Sequence, residues 1–149
     1  HQSENFSIIT AVENLAATLK LIYPDKLLTF DINVNPQSHF PGEQSDFNEL
    51  MGNLMDNAAK WSDGMISVDI NGGLDQFEVI VNDNGPGCSK SKIERLTKRG
   101  IRLDEQAKGH GLGLNIVLTI VEQYQGDILF TNREPKGLSV RIQLPSSLI

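Results

Sequence analysis

Apolar residues recur at every third or fourth position in three stretches of the chain, and this spacing predicts three helices. The first helix covers residues 6–23. The second begins near Ser45 or Asp46, either of which can cap it, and it runs to residue 61. The third covers residues 113–124, and Gly126 lies just beyond its end.

Five further stretches are strand-like, with short apolar or alternating patterns between turn residues. They cover residues 27–34, 65–70, 76–81, 127–132 and 138–144. Asn71-Gly72-Gly73 predicts a hairpin between the second and third strands, and Pro135-Lys136-Gly137 predicts a turn between the last two. Three main helices and about five strands in mixed order predict an α/β two-layer sandwich built on a mixed sheet.

Residues 88–110 form a polar, basic stretch that glycines interrupt, and Ile93 and Leu96 are its only helical signal. A stretch of this kind inside a compact domain is usually a functional loop. The length of 149 residues fits one domain. Because the chain begins at His1 without a methionine, we expect it to be a piece of a longer protein.

Composition excludes several classes of protein. A net charge of −6 argues against a general nucleic-acid binder. A single cysteine, Cys88, excludes an internal disulfide framework and a zinc site with several cysteines. No run of 18 apolar residues occurs, so we expect no direct membrane contact from this chain.

Four polar residues of the second predicted helix, Glu49, Asn53, Asn57 and Lys60, fall on one stripe. The stripe could be the solvated face of an amphipathic helix. However, asparagine is a poor helix former, and its side-chain oxygen can ligate Mg²⁺ beside substrate phosphates. Lys60 lies one turn further on, where it could contact phosphate. From the helix alone both interpretations stay open.

Two glycine-rich segments have the same ambiguity. Asp83-Asn84-Gly85-Pro86-Gly87 is either a tight turn or a nucleotide pocket in which a buried carboxylate accepts a hydrogen bond from an amino group of the base. Gly109-His110-Gly111-Leu112-Gly113-Leu114 does not fit the G-x-G-x-x-G fingerprint, because Leu114 replaces the third glycine. It is either a hinge or a helix start whose N–H groups bind phosphate.

The order and spacing of these three segments resemble the GHKL ATPase superfamily, and within it the catalytic domain of histidine kinases. Residues 53–61 look like the N box, residues 83–87 like the G1 box and residues 109–114 like the G2 box. Residues 40–44, 51–53 and 98–104 look most like PhoQ-type sensor kinases. The resemblance implies a Bergerat-type ATP-binding fold with an ATP lid, and ATP and Mg²⁺ as cofactors.

The resemblance also implies roles for individual residues. Asn57 would ligate Mg²⁺ with Asn53 in support, Glu49 would position a water, Lys60 would contact phosphate and Trp61 would pack on the nucleotide. The other residues that the resemblance assigns to the cofactor lie in the G1 box, the lid and the G2 box: Asp83 on the adenine amino group, Gly85 and Gly87 in the pocket floor, Lys98, Arg99 and Arg102 in the lid, and Gly109, His110, Gly111, Leu112, Gly113 and Leu114.

The chain departs from the family pattern in the lid, where it has no Phe-x-x-Phe motif, and at Cys88, which we interpret as a small apolar filler. Neither His1 nor His39 is set in a phosphoacceptor motif. The resemblance therefore implies a cytoplasmic, monomeric catalytic fragment of a homodimeric inner-membrane kinase. Its partners would be its own dimerisation and phosphoacceptor domain and, through that domain, a response regulator.

Three alternatives stay open at this point. The chain could be an ATP-hydrolysing GHKL module of the gyrase, Hsp90 or mismatch-repair type. It could instead be an anti-sigma-factor kinase that phosphorylates serine. It could also be a degenerate module that binds a nucleotide without catalysis, although the intact Asn57, Lys60 and Asp83 argue against that hypothesis.

Overall fold

The computed structural model describes residues 5–73, 75–96 and 112–146, which form one five-stranded sheet with helices packed on it. The helices are α1 (Ile8–Ile22), α2 (Gln44–Trp61), α3 (Lys90–Leu96) and α4 (Leu112–Gln123), and a short 3₁₀ turn covers Pro24–Lys26. The strands are β1 (Thr29–Val34), β2 (Met65–Gly72), β3 (Gln76–Asp83), β4 (Asp127–Asn132) and β5 (Leu138–Pro145). Within these residues, no helix has both the length and the apolar character needed to cross a membrane.

The sheet is mixed, with the strand order β1-β2-β3-β5-β4. Strands β1 and β2 are parallel, and the remaining neighbours are antiparallel. The hairpin between β2 and β3 and the turn between β4 and β5 are where the sequence predicts them. The predicted two-layer α/β sandwich with a mixed five-stranded sheet is therefore confirmed.

One face of strand β3 contributes both apolar core residues and the carboxylate of Asp83. Its residues alternate between the buried face and the opposite, more open face, so that Phe77, Val79 and Val81 point into the core. Asp83 is the next residue in this series, and it is only 5% exposed. The period of two along a strand thus places a carboxylate among apolar side chains at the end of β3.

Helix α2 packs its apolar side against the sheet and keeps its polar stripe out of the core. Leu50, Leu54, Met55 and Ala58 are buried, as their spacing predicts.

The predicted caps of α2 at Ser45 and Asp46 are wrong, because the helix begins one residue earlier, at Gln44. Glu43 occupies the cap position without a side-chain hydrogen bond, and its carbonyl accepts from the Phe47 N–H at 3.1 Å. Asp46 lies inside the first turn, where it accepts a hydrogen bond from the Tyr124 hydroxyl at 2.6 Å.

The structure has a fourth helix, α3, within the stretch that the sequence analysis interprets as a loop. Ser89 starts this helix: its hydroxyl accepts from the Lys92 N–H at 3.1 Å and its carbonyl accepts from the Ile93 N–H at 3.0 Å. The prediction of three main helices was therefore incomplete. The missed signal is Ser89 itself, a good capping residue just before the Ile93 and Leu96 pair.

Helix α4 ends at a left-handed residue followed by Gly126, and the glycine is needed for space and not for its backbone conformation. Gln125, with φ of 58°, adopts the left-handed conformation, and the Gly126 N–H reaches back to the Val121 carbonyl at 2.8 Å. A Cβ on Gly126 would lie 2.4 Å from the Gln143 carbonyl oxygen on β5. Gly126 therefore allows the chain to pass close to β5, and the left-handed turn is made by its neighbour.

Candidate functional site

A cleft of about 200 Å³ lies where the last turns of α2, the end of β3, α3 and the start of α4 meet. Five residues that the sequence assigns to a nucleotide site line it: Asn57, Trp61, Asp83, Gly87 and Leu114. Six further lining residues are new: Pro86, Cys88, Ser89, Lys92, Leu96 and Leu138. Most of the wall is apolar, and a few polar groups converge on it, which is typical of a small-molecule site.

The Asp83 carboxylate is held by backbone groups on two sides. Its Oδ1 accepts from the Gly85 N–H at 2.8 Å and from the Leu138 N–H at 3.4 Å. Among the described residues, Oδ2 receives no hydrogen bond, although Asp83 lines the cleft. One carboxylate oxygen is thus used to orient the side chain, and the other is available to a ligand.

Burial of the Asp83 carboxyl changes its pKa. Burial raises the pKa of the Asp83 carboxyl above its ordinary value, and the hydrogen bonds from Gly85 and Leu138 and the charge of Arg133 only partly oppose this shift. Burial also penalises the ionised form in the folded state, so the charged carboxylate costs folding free energy at neutral pH. A costly buried acid in a cleft is typical of a functional residue.

Two glycines allow the backbone to close around Asp83. A Cβ on Gly85 would lie 2.1 Å from the Trp61 carbonyl oxygen, and a Cβ on Gly137 would lie 2.0 Å from the Asp83 carbonyl oxygen. Gly137 also has a φ of +112°, which favours glycine. The absence of a side chain at Gly85 thus lets the end of α2 lie directly against the Asp83 turn.

The hairpin formed by β4 and β5 is hydrogen-bonded to the segment that follows β3 in the cleft wall. The Asn132 side-chain oxygen accepts from the Cys88 N–H at 2.9 Å, and its amide nitrogen donates to the Cys88 carbonyl at 2.7 Å. Arg133 donates from Nη1 to the Asp83 carbonyl at 2.7 Å. The last hairpin therefore fixes both ends of the Asp83–Cys88 segment.

The polar stripe of α2 runs from the cleft to the start of α4. Asn57 lines the cleft, and Asn53 lies one turn earlier. The Asn53 amide nitrogen donates to the Glu49 carbonyl at 2.7 Å, and its Oδ1 lies 3.2 Å from the position of a Cβ on Gly113. This arrangement brings an amide oxygen next to the first turn of α4, where unpaired N–H groups favour anions.

Trp61 forms an exposed edge of the cleft, and 41% of its surface is accessible. The Lys60 ammonium lies 5.4 Å from the centre of the indole ring. Lys26 donates to the Lys60 carbonyl at 2.5 Å and to the Ser62 carbonyl at 2.9 Å, which satisfies the C-terminal end of α2. The side chain of Lys60 is exposed at the same edge of the cleft.

The remaining predicted residues are either outside the cleft or outside the described part of the chain. Glu49 is exposed and does not line the cleft. Leu112 begins α4, and Gly113 is half-buried against Asn53. The predicted lid and G2-box residues Lys98, Arg99, Arg102, Gly109, His110 and Gly111 lie outside the described residues.

A comparison with protein families confirms the resemblance drawn from the three boxes. Residues 42–148 match the family described as "Histidine kinase-, DNA gyrase B-, and HSP90-like ATPase". The Escherichia coli K12 "Sensor protein PhoQ" is 36% identical over 118 residues, which cover 79% of this chain and 24% of that protein. The Pseudomonas aeruginosa "Sensor protein kinase CarS" is 34% identical over 141 residues, covering 95% of this chain and 32% of that protein.

Solved structures give the same result for the fold. The "Mycobacterial sensor histidine kinase MprB" superposes with a TM-score of 0.75 at 26% identity and covers 96% of this chain and 97% of that one. The catalytic domain of histidine kinase ThkA superposes with a TM-score of 0.80 at 19% identity, with 98% and 99% covered. This chain spans about a quarter to a third of the length of the curated relatives that it matches. It belongs to the family of histidine kinase-, DNA gyrase B- and HSP90-like ATPases, and its relatives there are sensor histidine kinases.

Proposed function

We propose that this chain is the catalytic domain of a sensor kinase, which binds Mg-ATP and transfers its γ-phosphate to a histidine on a separate dimerisation domain. The observation that carries the proposal is Asp83, a carboxylate 5% exposed at the cleft with one oxygen unbonded among the described residues. A nucleotide base with an exocyclic amino group would supply the missing donor. The apolar lining from Leu96, Leu114 and Leu138 fits the flat face of such a base.

The phosphate end of the nucleotide would lie along the polar stripe of α2. Asn57 lines the cleft on the side of Trp61, and Asn53 lies beside the first turn of α4. Phosphoryl transfer depends mainly on positioning and on charge neutralisation. The described residues supply amide oxygens, an exposed ammonium on Lys60 and helix N–H groups for this purpose. In the same proposal, Glu49 positions a water, and Gly85 and Gly87 shape the floor of the pocket.

The donor set fits a magnesium ion that the nucleotide brings with it. Within the described residues, no group of three histidine, cysteine, aspartate or glutamate side chains could hold a metal. Mg²⁺ in nucleotide sites keeps several waters and phosphate oxygens and takes only one or two protein ligands. Asn57 would hold the ion, with Asn53 in support, and the ion would neutralise charge on the phosphates.

The rest of the proposal concerns the longer protein. Residues 1–149 would form a single catalytic domain on the cytoplasmic side of an inner-membrane sensor. The dimerisation and phosphoacceptor domain would be its direct partner, and a response regulator would receive the phosphoryl group from that domain. The isolated chain would be a monomer that binds Mg-ATP but does not phosphorylate itself, because the advantage of a tethered acceptor is lost.

Calorimetric titration with a non-hydrolysable ATP analogue tests the base-binding part of the proposal. Asp83→Asn removes the acceptor and presents an amide donor, which should weaken ATP binding by about 1–3 kcal/mol and reduce the preference over GTP. Because the charged carboxylate is costly when buried, the variant should unfold at the same or a higher urea concentration than the parent chain. ATP binding of unchanged strength and base preference would overturn the assignment.

Asn57→Asp tests the metal part with the same titrations, performed with Mg²⁺ and with EDTA. The new carboxylate attracts Mg²⁺ but repels the phosphates and changes the ligand geometry, so binding of Mg-ATP should be damaged more than binding of the nucleotide alone. An equal loss under both conditions would contradict a metal role for Asn57.

Incubation with γ-labelled ATP tests the transfer step. The isolated chain should stay unlabelled, and a histidine on an added dimerisation domain should gain acid-labile label. Acid-labile label on His39 or His110 of the isolated chain would contradict the proposal.

A further inference from the structure

A second ammonium group, on Lys92, approaches the same indole ring as Lys60. The Lys92 Nζ lies 5.8 Å from the centre of the Trp61 ring, compared with 5.4 Å for Lys60. Lys60 precedes Trp61 directly on α2, whereas Lys92 comes from α3. Two elements that are distant in sequence therefore bring positive charge to one edge of the cleft.

Neither ammonium forms an ion pair with a carboxylate in the described part of the chain. The ion pairs among the described residues join Lys136 to Asp63 and Arg141 to Glu78. The full chain has a net charge of −6, so acidic side chains are in excess over basic ones. Two like charges that converge without a counter-ion repel one another, and a cation–π contact contributes only about 0.5–1 kcal/mol at an exposed site. An anionic ligand at this edge would replace the repulsion with attraction.

The backbone of Lys92 belongs to the capped first turn of α3, which is attached to the last hairpin through Cys88. Its N–H is bonded to the Ser89 hydroxyl at 3.1 Å, and Ser89 follows Cys88, whose N–H and carbonyl are both bonded to Asn132. Lys92 is half-buried and lines the cleft, whereas Lys90 on the same helix is exposed and does not. The two lysines of α3 therefore differ in their relation to the cleft.

We propose that Lys92 is a further binding residue of this cleft, and that it contacts the phosphate chain of a nucleoside di- or triphosphate opposite Lys60. This inference rests on the proposed function and extends it to α3, a helix whose only residue assigned to the nucleotide above is the apolar Leu96. Both ammonium groups lie within about 6 Å of the centre of the Trp61 ring. The phosphates would thus be held from two sides, by α2 and by α3.

Calorimetric titration of three ligands, ATP, ADP and adenosine, tests the assignment in the whole chain. Lys92→Gln should weaken ATP and ADP binding by about tenfold, as expected for loss of a charge-assisted contact at a partly exposed site, and should leave adenosine binding unchanged. Lys92→Arg should restore most of the lost affinity because it keeps the positive charge. Lys90→Gln is the matched control, and it should bind all three ligands like the parent chain.

Each other outcome identifies which inference fails. Unchanged ATP and ADP affinity in Lys92→Gln would overturn the phosphate contact, while Asp83-dependent ATP binding would leave the proposed function standing. Equal weakening of all three ligands, adenosine included, would show that Lys92 shapes the cleft and does not bind phosphate. Absence of any ATP binding by the parent chain would overturn both inferences.

Discussion

Replacement of Gly137 by alanine tests whether the last hairpin holds the Asp83 turn. Gly137 has a φ of +112°, a conformation that costs an alanine about 1–3 kcal/mol. The new Cβ would lie 2.0 Å from the Asp83 carbonyl oxygen and 3.0 Å from its carbon, and both are backbone atoms that cannot rotate away. Relieving such a contact by moving the backbone adds about 1–3 kcal/mol. The expected loss is therefore about 2–6 kcal/mol of unfolding free energy.

Urea unfolding followed by the fluorescence of Trp61, the only tryptophan in the chain, measures this loss. With a slope of about 2 kcal/mol per molar urea, the midpoint should fall by about 1–3 M. Nucleotide affinity should fall as well, because a displaced Asp83 carbonyl loses its 2.7 Å hydrogen bond from Arg133. The two measurements together connect the stability of the turn to the geometry of the site.

Gly73→Ala is the matched control for Gly137→Ala. The position of its Cβ is 4.0 Å from the Gln76 carbonyl oxygen, which is ordinary contact, and Gly73 is not among the residues with positive φ. Its midpoint should stay within about 0.5 M of the parent, since a compatible Gly-to-Ala change alters stability by only about 0.4–1 kcal/mol. Equal midpoints for Gly137→Ala and Gly73→Ala would refute the reasoning.

Three further outcomes are expected. Burial and the 2.7 Å hydrogen bond to Asp56 raise the pKa of Tyr23 to about 12 from 10.0, so the folded state keeps a proton that the unfolded state loses. Urea midpoints should therefore fall between pH 10 and pH 12, and they should fall less in Tyr23→Phe. Burial raises the pKa of the Cys88 thiol, so iodoacetamide should modify it more slowly than free cysteine at pH 8, and more slowly still with ATP present, as mass spectrometry would show. Asn132→Ala removes both hydrogen bonds to Cys88, so amide exchange should accelerate in α3 but not in α1.

Much of the fold follows from local patterns in the sequence. Period-two alternation predicts the strands, and it continues to Asp83, so that the burial of this carboxylate follows from Phe77, Val79 and Val81 before it. The buried face of α2 follows in the same way from helical spacing. The three boxes were recognised because each is a short segment with its own local composition.

The parts that were missed depend on contacts between distant residues or on weak local signals. Nothing in Pro135-Lys136-Gly137 indicates that the last glycine lies against the Asp83 carbonyl. Lys92 belongs to a seven-residue helix whose two apolar positions give little periodicity, and its approach to Trp61 depends on how α3 packs. The caps of α2 were misplaced because Asp46 bonds to Tyr124, a partner 78 residues away.

The support that the last hairpin provides has a consequence for synthesis of the chain. Asp83 leaves the ribosome 54 residues (137 − 83) before Gly137, which corresponds to roughly 3–10 seconds at the usual rate of translation. For most of that interval the nascent chain has the residues of β1, β2 and β3 but lacks Arg133, and throughout it lacks Leu138, the two residues of the last hairpin that bond to Asp83. Of the hydrogen bonds to the Asp83 carboxylate among the described residues, only the one from the Gly85 N–H is then available to orient it. The full set of contacts to Asp83 is therefore completed only when β4 and β5 join the sheet.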